Sequence, residues 1–370
     1  MFSSAFKIVE VWGIPIRVHW SFGFFFLWIA YLGNRAGMDV RGTLILCLFA
    51  IVLFFCVVLH ELGHAMMARR YQVQTKDIII SPIGGLARLM HMPKRPMHEL
   101  LIAIAGPAVN LVIALIIGIF LTLFTSKGLL PTGDPSRIFN DISNFLPALF
   151  GLNLLLIVFN LIPAFPMDGG RIFRAVLSMR WSRERATQIA TVLGQAIALA
   201  FVVWGFYRGD FILAFIGIFV FFSAANEYKM VKADKLLSDT QVGDIIRRDF
   251  TPIYLHEKMN RVFHLSEEGI EKDFIVFNKW QDVVGVLHDE FIQVARQDNA
   301  SDADVEDYLS DRFEAVPGHL DLKRLFHLFQ QRGYSIIPVM DIGTMIGVID
   351  RVTLNKYISD RTRLWSNWRT

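Results

Sequence analysis

His60, Glu61 and His64 form an H-E-x-x-H sequence, HELGH, inside an apolar stretch running roughly from Leu44 to Ala68. On a helix, the i, i+4 spacing brings both imidazoles to one face, where they can share a zinc ion, with Glu61 beside them as a base toward water. An accidental match arises in roughly one chain in a hundred of this composition, so the spacing alone is suggestive. The surroundings strengthen it. Two histidines and a glutamate in a segment reading Ile-Val-Leu-Phe-Phe-Cys-Val-Val-Leu are expensive in lipid, where ionisable groups are functional candidates by default.

Two imidazoles leave a hydrolytic zinc short of a third protein ligand. Asp168 is the candidate, at the end of the run Asn160-Leu-Ile-Pro-Ala-Phe-Pro-Met-Asp-Gly-Gly-Arg171. Pro163 and Pro166 interrupt backbone hydrogen bonding and Gly169 and Gly170 free the dihedrals, so the segment can bend to aim a carboxylate. The alternative role for Asp168 is to cap the helix that follows. Cys47 and Cys56, the two cysteines, both precede HELGH in its apolar stretch, and neither a disulfide framework nor a cysteine metal site is expected.

The elements that must position these residues are membrane helices. Hydrophobic residues make up 54% of the chain and 32 of the 370 residues are Phe, which excludes an ordinary soluble enzyme. Six spans are predicted, at about 17 to 33, 43 to 68, 99 to 124, 144 to 165, 186 to 207 and 211 to 227. The short turn at Arg208-Gly209-Asp210 leaves open whether the last two are separate spans or one re-entrant pair. The segment near the N-terminus lacks a small-residue cleavage site and reads as a retained helix. Residues 1 to 230 carry 19 Lys or Arg against 11 Asp or Glu, and residues 231 to 370 carry 18 against 23, which divides a lipid-embedded domain from a soluble one.

Basic residues set the orientation. They crowd the flanks after the second span (Arg69, Arg70, Lys76, Arg88, Lys94, Arg95) and the fourth (Arg171, Arg174, Arg180, Arg183, Arg185), whereas the other side has Arg35, Arg41, Lys127, Arg137 and Arg208. By the positive-inside rule both termini and the soluble domain are cytoplasmic, with HELGH near the cytoplasmic end of its helix.

HELGH in the second span and N-x-x-P-x-x-P-x-D-G-G in the fourth resemble the site-2 proteases, intramembrane zinc metalloproteases that cut membrane-spanning segments of other proteins. Ser81-Pro-Ile-Gly-Gly-Leu-Ala87 resembles the family's membrane-inserted hairpin, Ala105-Gly-Pro-Ala-Val-Asn110 its third helix, and Gly13-Ile-Pro-Ile-Arg-Val-His-Trp20 the entry to its first span. The resemblance covers roughly residues 10 to 230 and no PDZ-like insert is visible. It implies one zinc per chain held by His60, His64 and Asp168, with Glu61 moving a proton from water to the leaving amine. Asn160 is the implied oxyanion donor, and Asn110 either positions a helix or substrate or makes an interhelical hydrogen bond. Gly84 and Gly85 belong to a hairpin whose edge could pair with an unwound substrate, or they serve only the turn.

The soluble part carries a rough repeat at 242 to 295 and 305 to 358, each a short helix, an extended segment, an amphipathic helix and two β-branched strands. Phe274-Ile-Val-Phe and Val283-Val-Gly-Val answer Ile336-Ile-Pro-Val and Met345-Ile-Gly-Val. The pattern resembles a tandem CBS pair, such as a six-span branch of the family carries at its C-terminus. His288 and Asp350 stand at the ribose-contacting hydroxyl positions, and Phe291 and Thr353 at those of the aspartate, which counts against classical nucleotide binding and leaves a structural pairing module as the alternative.

The expected fold is thus a polytopic α-helical membrane protein with about six transmembrane helices and a membrane-inserted β-hairpin (1 to 230), followed by an α/β tandem CBS-type cytoplasmic regulatory domain (231 to 370). A prokaryotic cell membrane is the expected location. The expected partners are the lipid bilayer, a membrane protein substrate with a transmembrane segment and a second copy through the CBS-like pair; no nucleic acid is expected. Two rival functions are a CBS-regulated metal transporter, against which stands the lack of polar groups continuing above HELGH, and a nonproteolytic scaffold, against which stands the presence of every catalytic residue.

Overall fold

The computed structural model describes residues 5 to 364 except 83, 91 to 92, 94, 126 to 127, 132 to 140, 270 and 311. Ile83 of the hairpin motif and Lys94, Lys127 and Arg137 of the orientation count lie outside the described residues. The chain divides into two compact units, Met1–Tyr228 and Lys229–Thr370.

The first unit opens with β1 (Ala5–Val11) and β2 (Ile14–His19), an antiparallel pair turned at Trp12 and Gly13, both with positive φ. Helix α1 (Phe22–Arg35) and helix α2 (Val40–Arg70) follow, the latter started by Asp39, whose side chain accepts from the Gly42 N–H at 2.7 Å. Strands β3 (Thr75–Ser81) and β4 (Gly84–Leu89) then form an antiparallel hairpin. Strand β3 joins β2 in parallel, giving a four-stranded sheet in the order β1-β2-β3-β4 with β4 at an edge. The sheet packs on α2 through Ile14, Ile16, Ile78 and Ile80 against Leu62 and Ala65, so the helix turn bearing HELGH has a rigid floor. Asp77 of β3 clamps β4 through Arg88, whose Nε donates to it at 2.6 Å, and also pairs with Arg17 of β2 at 3.3 Å. The Arg88 guanidinium holds the buried Asp77 carboxyl below the usual carboxylate range.

Helices α3 (Pro96–Phe124), α4 (Phe145–Leu161), α5 (Asp168–Ser178), α6 (Arg183–Arg208) and α7 (Phe211–Asp239) complete the unit and lead into the next. Among the described residues five helices are long and apolar enough to cross a bilayer: α2, α3, α4 with its preceding turn, α6 and α7. The last two are separate helices, parted by Gly209 in the left-handed conformation at φ 70°. The apolar run at 17 to 33 is divided between structures. Its first residues belong to β2, because Ile16 and Val18 pair with Ile78 and Ile80 of β3, and α1 has 14 residues. At 1.5 Å per residue α1 is about 21 Å long, against a hydrocarbon core of about 30 Å.

The second unit is the repeat. In one copy β5 (Ile253–Tyr254), α8 (Met259–Glu267), β6 (Phe274–Phe277), β7 (Val283–Leu287) and α9 (Asp289–Gln297) form a sheet ordered β5-β6-β7 with helices beside it. In the other, β8 (Val316–Pro317), α10 (Leu322–Arg332), β9 (Ile336–Asp341), β10 (Thr344–Asp350) and α11 (Arg351–Leu364) do the same in the order β10-β9-β8. The copies exchange leading segments. Arg247 bridges to Val348 of the second copy, while Ser310 bridges to Val286 of the first. Ile275, Phe277 and Val286 pack with Ile336 and Val348 in a shared core between the copies.

Candidate metal centre

Helix α2 sends His60 and His64 from one face, as their spacing requires, and α5 meets them with its first residue, Asp168. The Asp168 Oδ2 atom lies 3.1 Å from each Nε2, and the two Nε2 atoms are 3.1 Å apart. All three side chains are buried. A tetrahedral ion with bonds of ~2.0–2.1 Å has ligand-to-ligand edges of about 3.3 Å, so the triangle fits zinc closely.

The His64 tautomer agrees with that use. The Ile102 carbonyl can only accept, so His64 Nδ1, 2.7 Å away, must be the protonated nitrogen and Nε2 faces the centre with its lone pair. Gly106 of α3 supplies the room. A Cβ built there would stand 2.2 Å from His64 Nε2 and 2.6 Å from His60 Nε2. The donor set, the burial and this cradle therefore fit a zinc ion.

Asp168 does not cap α5. The N-cap is Met167, without a side-chain cap, and the carboxylate is spent on the imidazoles. Gly169 and Gly170 act differently from the expectation that they free the dihedrals, since neither has a positive φ. A Cβ on Gly169 would lie 2.2 Å from the Ile162 carbonyl oxygen and one on Gly170 2.7 Å from the Ala164 carbonyl carbon. Both are glycine because the loop after α4 folds tightly beneath the start of α5.

Glu61 lies beside the triangle, and its Oε2 accepts the Ala87 N–H of β4 at 2.9 Å. Gly85 allows that approach, for a Cβ there would meet Glu61 Cγ at 2.7 Å. These groups line a cavity of about 120 Å³ that also takes in Leu89, Ile102, Asn160, Pro166 and Arg171. Asn160 thus joins the site. Gly84 and Asn110 do not line the cavity: Gly84 makes the strand entry at φ 138°, and Asn110 is buried with its Oδ1 unpartnered among the described residues. Arg171 was counted on sequence grounds only for membrane orientation. Its place three residues after Asp168 was the available signal, because a cation one helical turn from a buried carboxylate faces the same side.

Comparison with known proteins agrees with this chemistry. The model for "Peptidase family M50" matches residues 48–201. Zinc metalloprotease MJ0392 of Methanocaldococcus jannaschii is 30% identical over 359 residues, spanning 95% of this chain and 96% of that protein. A solved site-2 protease from Methanocaldococcus jannaschii superposes with a TM-score of 0.46 at 36% identity, covering 60% of this chain and 95% of that one. The CBS-domain containing protein ATU1752 from Agrobacterium tumefaciens gives a TM-score of 0.30 at 14% identity, over 32% of this chain and 92% of that one. With a His-His-Asp triangle that could hold a metal ion beside a glutamate, five span-length helices among the described residues and a relative matched over 95% of this chain, the chain belongs to peptidase family M50, the site-2 proteases, and is an intramembrane zinc metalloendopeptidase.

Proposed function

We propose that His60, His64 and Asp168 hold one zinc per chain, and that the enzyme hydrolyses a peptide bond in or near a substrate's transmembrane segment after that segment is drawn out as a strand along β4. The bond between the Ala87 N–H and Glu61 carries this reading. It means that an edge of β4 runs beside the catalytic glutamate, and alternate residues Gly85, Ala87 and Leu89 line the cavity. A helical substrate shields its peptide bonds; one paired with an edge strand exposes them in register. When bound, zinc supplies Lewis-acid polarisation of the scissile carbonyl and eases deprotonation of the attacking water. Glu61 takes that proton and delivers it to the leaving amine. Asn160 donates to the developing oxyanion, Gly84 and Gly85 keep the strand open to substrate, and Asn110 steadies α3 or the substrate.

Six spans, with α1 as the short first one, and cytoplasmic termini in a prokaryotic cell membrane complete the reading, supported by the basic flanks of α2 and α5. The C-terminal unit is a CBS-type regulatory module that pairs copies of the chain and alters substrate access. Its candidate ligand positions are engaged internally: His288 Nδ1 lies 3.1 Å from Asp273 and 3.0 Å from Ser335, and Asp350 accepts the Thr353 N–H at 2.6 Å. That supports a module without a classical nucleotide. The test is reconstitution of the full chain with a single-span substrate in vesicles, with product termini read by mass spectrometry. Cleavage within the span, lost on chelation and restored by zinc, is expected; cleavage only in the soluble flanks would sink the strand-addition reading.

A further inference from the structure

Arg174 is the largest fully buried side chain among the described residues, and nothing in the hydrolytic chemistry uses it. Its Nε donates to Glu99 Oε1 of α3 at 2.7 Å, its Nη1 donates to Glu227 Oε1 of α7 at 2.5 Å, and its guanidinium stacks 4.9 Å from the ring of Phe165. Glu99 is shared with Arg183 of α6, whose Nη2 is 3.3 Å from Oε2. Four helices therefore meet at one ion cluster, buried at Arg174 and Glu99 and partly exposed at Glu227 and Arg183. Burying charges is costly, and their attraction recovers that cost only in good geometry, so such a cluster is poor evidence for stability and better evidence for register.

The register it sets is that of α5. This helix has 11 residues and no side-chain N-cap, and its first residue is Asp168. Arg174 is six positions after Asp168, about 9 Å along the axis, so rotation or sliding at Arg174 is transmitted to the carboxylate. Phe165, stacked on Arg174, belongs to the loop that delivers Asp168. Glu99 stands one turn before Ile102, whose carbonyl fixes His64, and two turns before Gly106, which makes room for both imidazoles.

We propose that Arg174 is a positioning residue for Asp168: held by Glu99 of α3 and Glu227 of α7, it locks α5 in register with the helix that orients His64, so the carboxylate meets the two imidazoles. The proposal rests on the reading that Asp168 is a ligand. It predicts that disturbing Arg174 loosens the centre in a way that loss of stability alone does not.

The test uses the full chain in detergent, loaded with Co2+ in place of zinc, and reads the visible absorption spectrum and the rate of metal loss to a chelator. Arg174→Met combined with Glu227→Gln leaves Glu99 paired with Arg183, so no buried carboxylate is stranded. Metal should be lost about 10- to 100-fold faster, the usual cost of removing a group that orients a ligand, with weakened tetrahedral bands. Arg174→Lys, which keeps the charge but not both arms, should fall between. Asp39→Ala, which destabilises the fold by removing the N-cap of α2 at the far end of that helix from His60, should match the wild type. A folded double variant with the wild-type spectrum and rate overturns the proposal. If the double variant does not fold, the same wild-type result for both Arg174→Lys and Glu227→Gln overturns it. Asp168→Ala separates the two ideas: a wild-type spectrum there removes the ligand assignment, whereas an altered spectrum there with unaltered Arg174 variants removes only the positioning role.

Discussion

The Ala87 N–H donates to Glu61 Oε2 at 2.9 Å, tying that carboxylate to the edge strand of the sheet. One oxygen is committed to β4, and the other is the one the proposed role as base would use. Glu61→Gln keeps an acceptor for Ala87 and the shape of the side chain but cannot take a proton. Cleavage should fall more than about 100-fold with zinc content unchanged. Rates within tenfold of wild type would remove Glu61 from the role of base.

Asp168→Ala should lower zinc below one per chain by elemental analysis, since two imidazoles alone make an incomplete site. Full occupancy in this variant would put the third ligand elsewhere.

Gly106→Ala separates helix propensity from site geometry. Alanine favours a helix interior over glycine by about 1 kcal/mol, so α3 itself should not suffer. The new methyl group would stand 2.2 Å from His64 Nε2 and 2.6 Å from His60 Nε2, crowding the two nitrogens of the proposed metal site. The expected outcome is an intact apo protein by thermal unfolding that fails to retain zinc; normal zinc content would mean that α3 can retreat from α2.

Gly85→Val should do the reverse, keeping zinc while slowing turnover. Its Cβ would meet Glu61 Cγ at 2.7 Å and Val57 Cγ1 at 3.1 Å, displacing the base from the strand. A displacement of ~1 Å costs up to about 100-fold in rate, visible as a fall in kcat with unchanged metal analysis. An unchanged kcat would show that β4 yields instead.

Asp273 gives the second unit a pH dependence with a definite sign. Burial pushes its carboxyl up, but hydrogen bonds from His288, Ser335 and the Asp289 N–H outweigh that and hold it below the usual range. A folded pKa below the unfolded value of about 3.9 means that Asp273 stabilises the fold above that pH, and that this contribution is lost as pH falls through the folded value. Asp273→Ala should lower the unfolding temperature by a few °C at pH 7, on the order of one charge-assisted hydrogen bond, with the gap narrowing toward pH ~3. A gap that widens in acid would contradict the assignment.

The His60–His64–Asp168 grouping could be read from sequence because few residue types suit such a site: His60 and His64 share a helix face at fixed spacing, and Asp168 interrupts an apolar run where a helix cap was the competing role. The repeat in the second unit was equally visible, because the unbroken apolar runs in Phe274–Phe277 and at the start of Ile336–Asp341 mark strands buried on both faces. Three features were hidden. Strand β2 read as the start of a span, because β-branched residues buried by a distant partner look like any apolar run until Ile78 is known to face Ile16. The function of Gly106, Gly169 and Gly170 depends on which backbone or ring comes close, which local pattern does not encode. The partners of Arg174 lie 75 and 53 residues away in the chain, so its charge registered only as membrane orientation.

That long separation has a consequence for biosynthesis. His64 and Asp168 are 104 residues apart, and Glu227, which braces α5 through Arg174, follows Arg174 by 53 more. At about 5–20 residues per second, HELGH leaves the ribosome some 5–20 s before the carboxylate that completes its triangle. During that interval the nascent chain holds Glu61 and two imidazoles without the carboxylate that closes the triangle. Translation order thus places the two imidazoles in the chain well before the carboxylate that meets them, and that carboxylate before the glutamate bonded to Arg174.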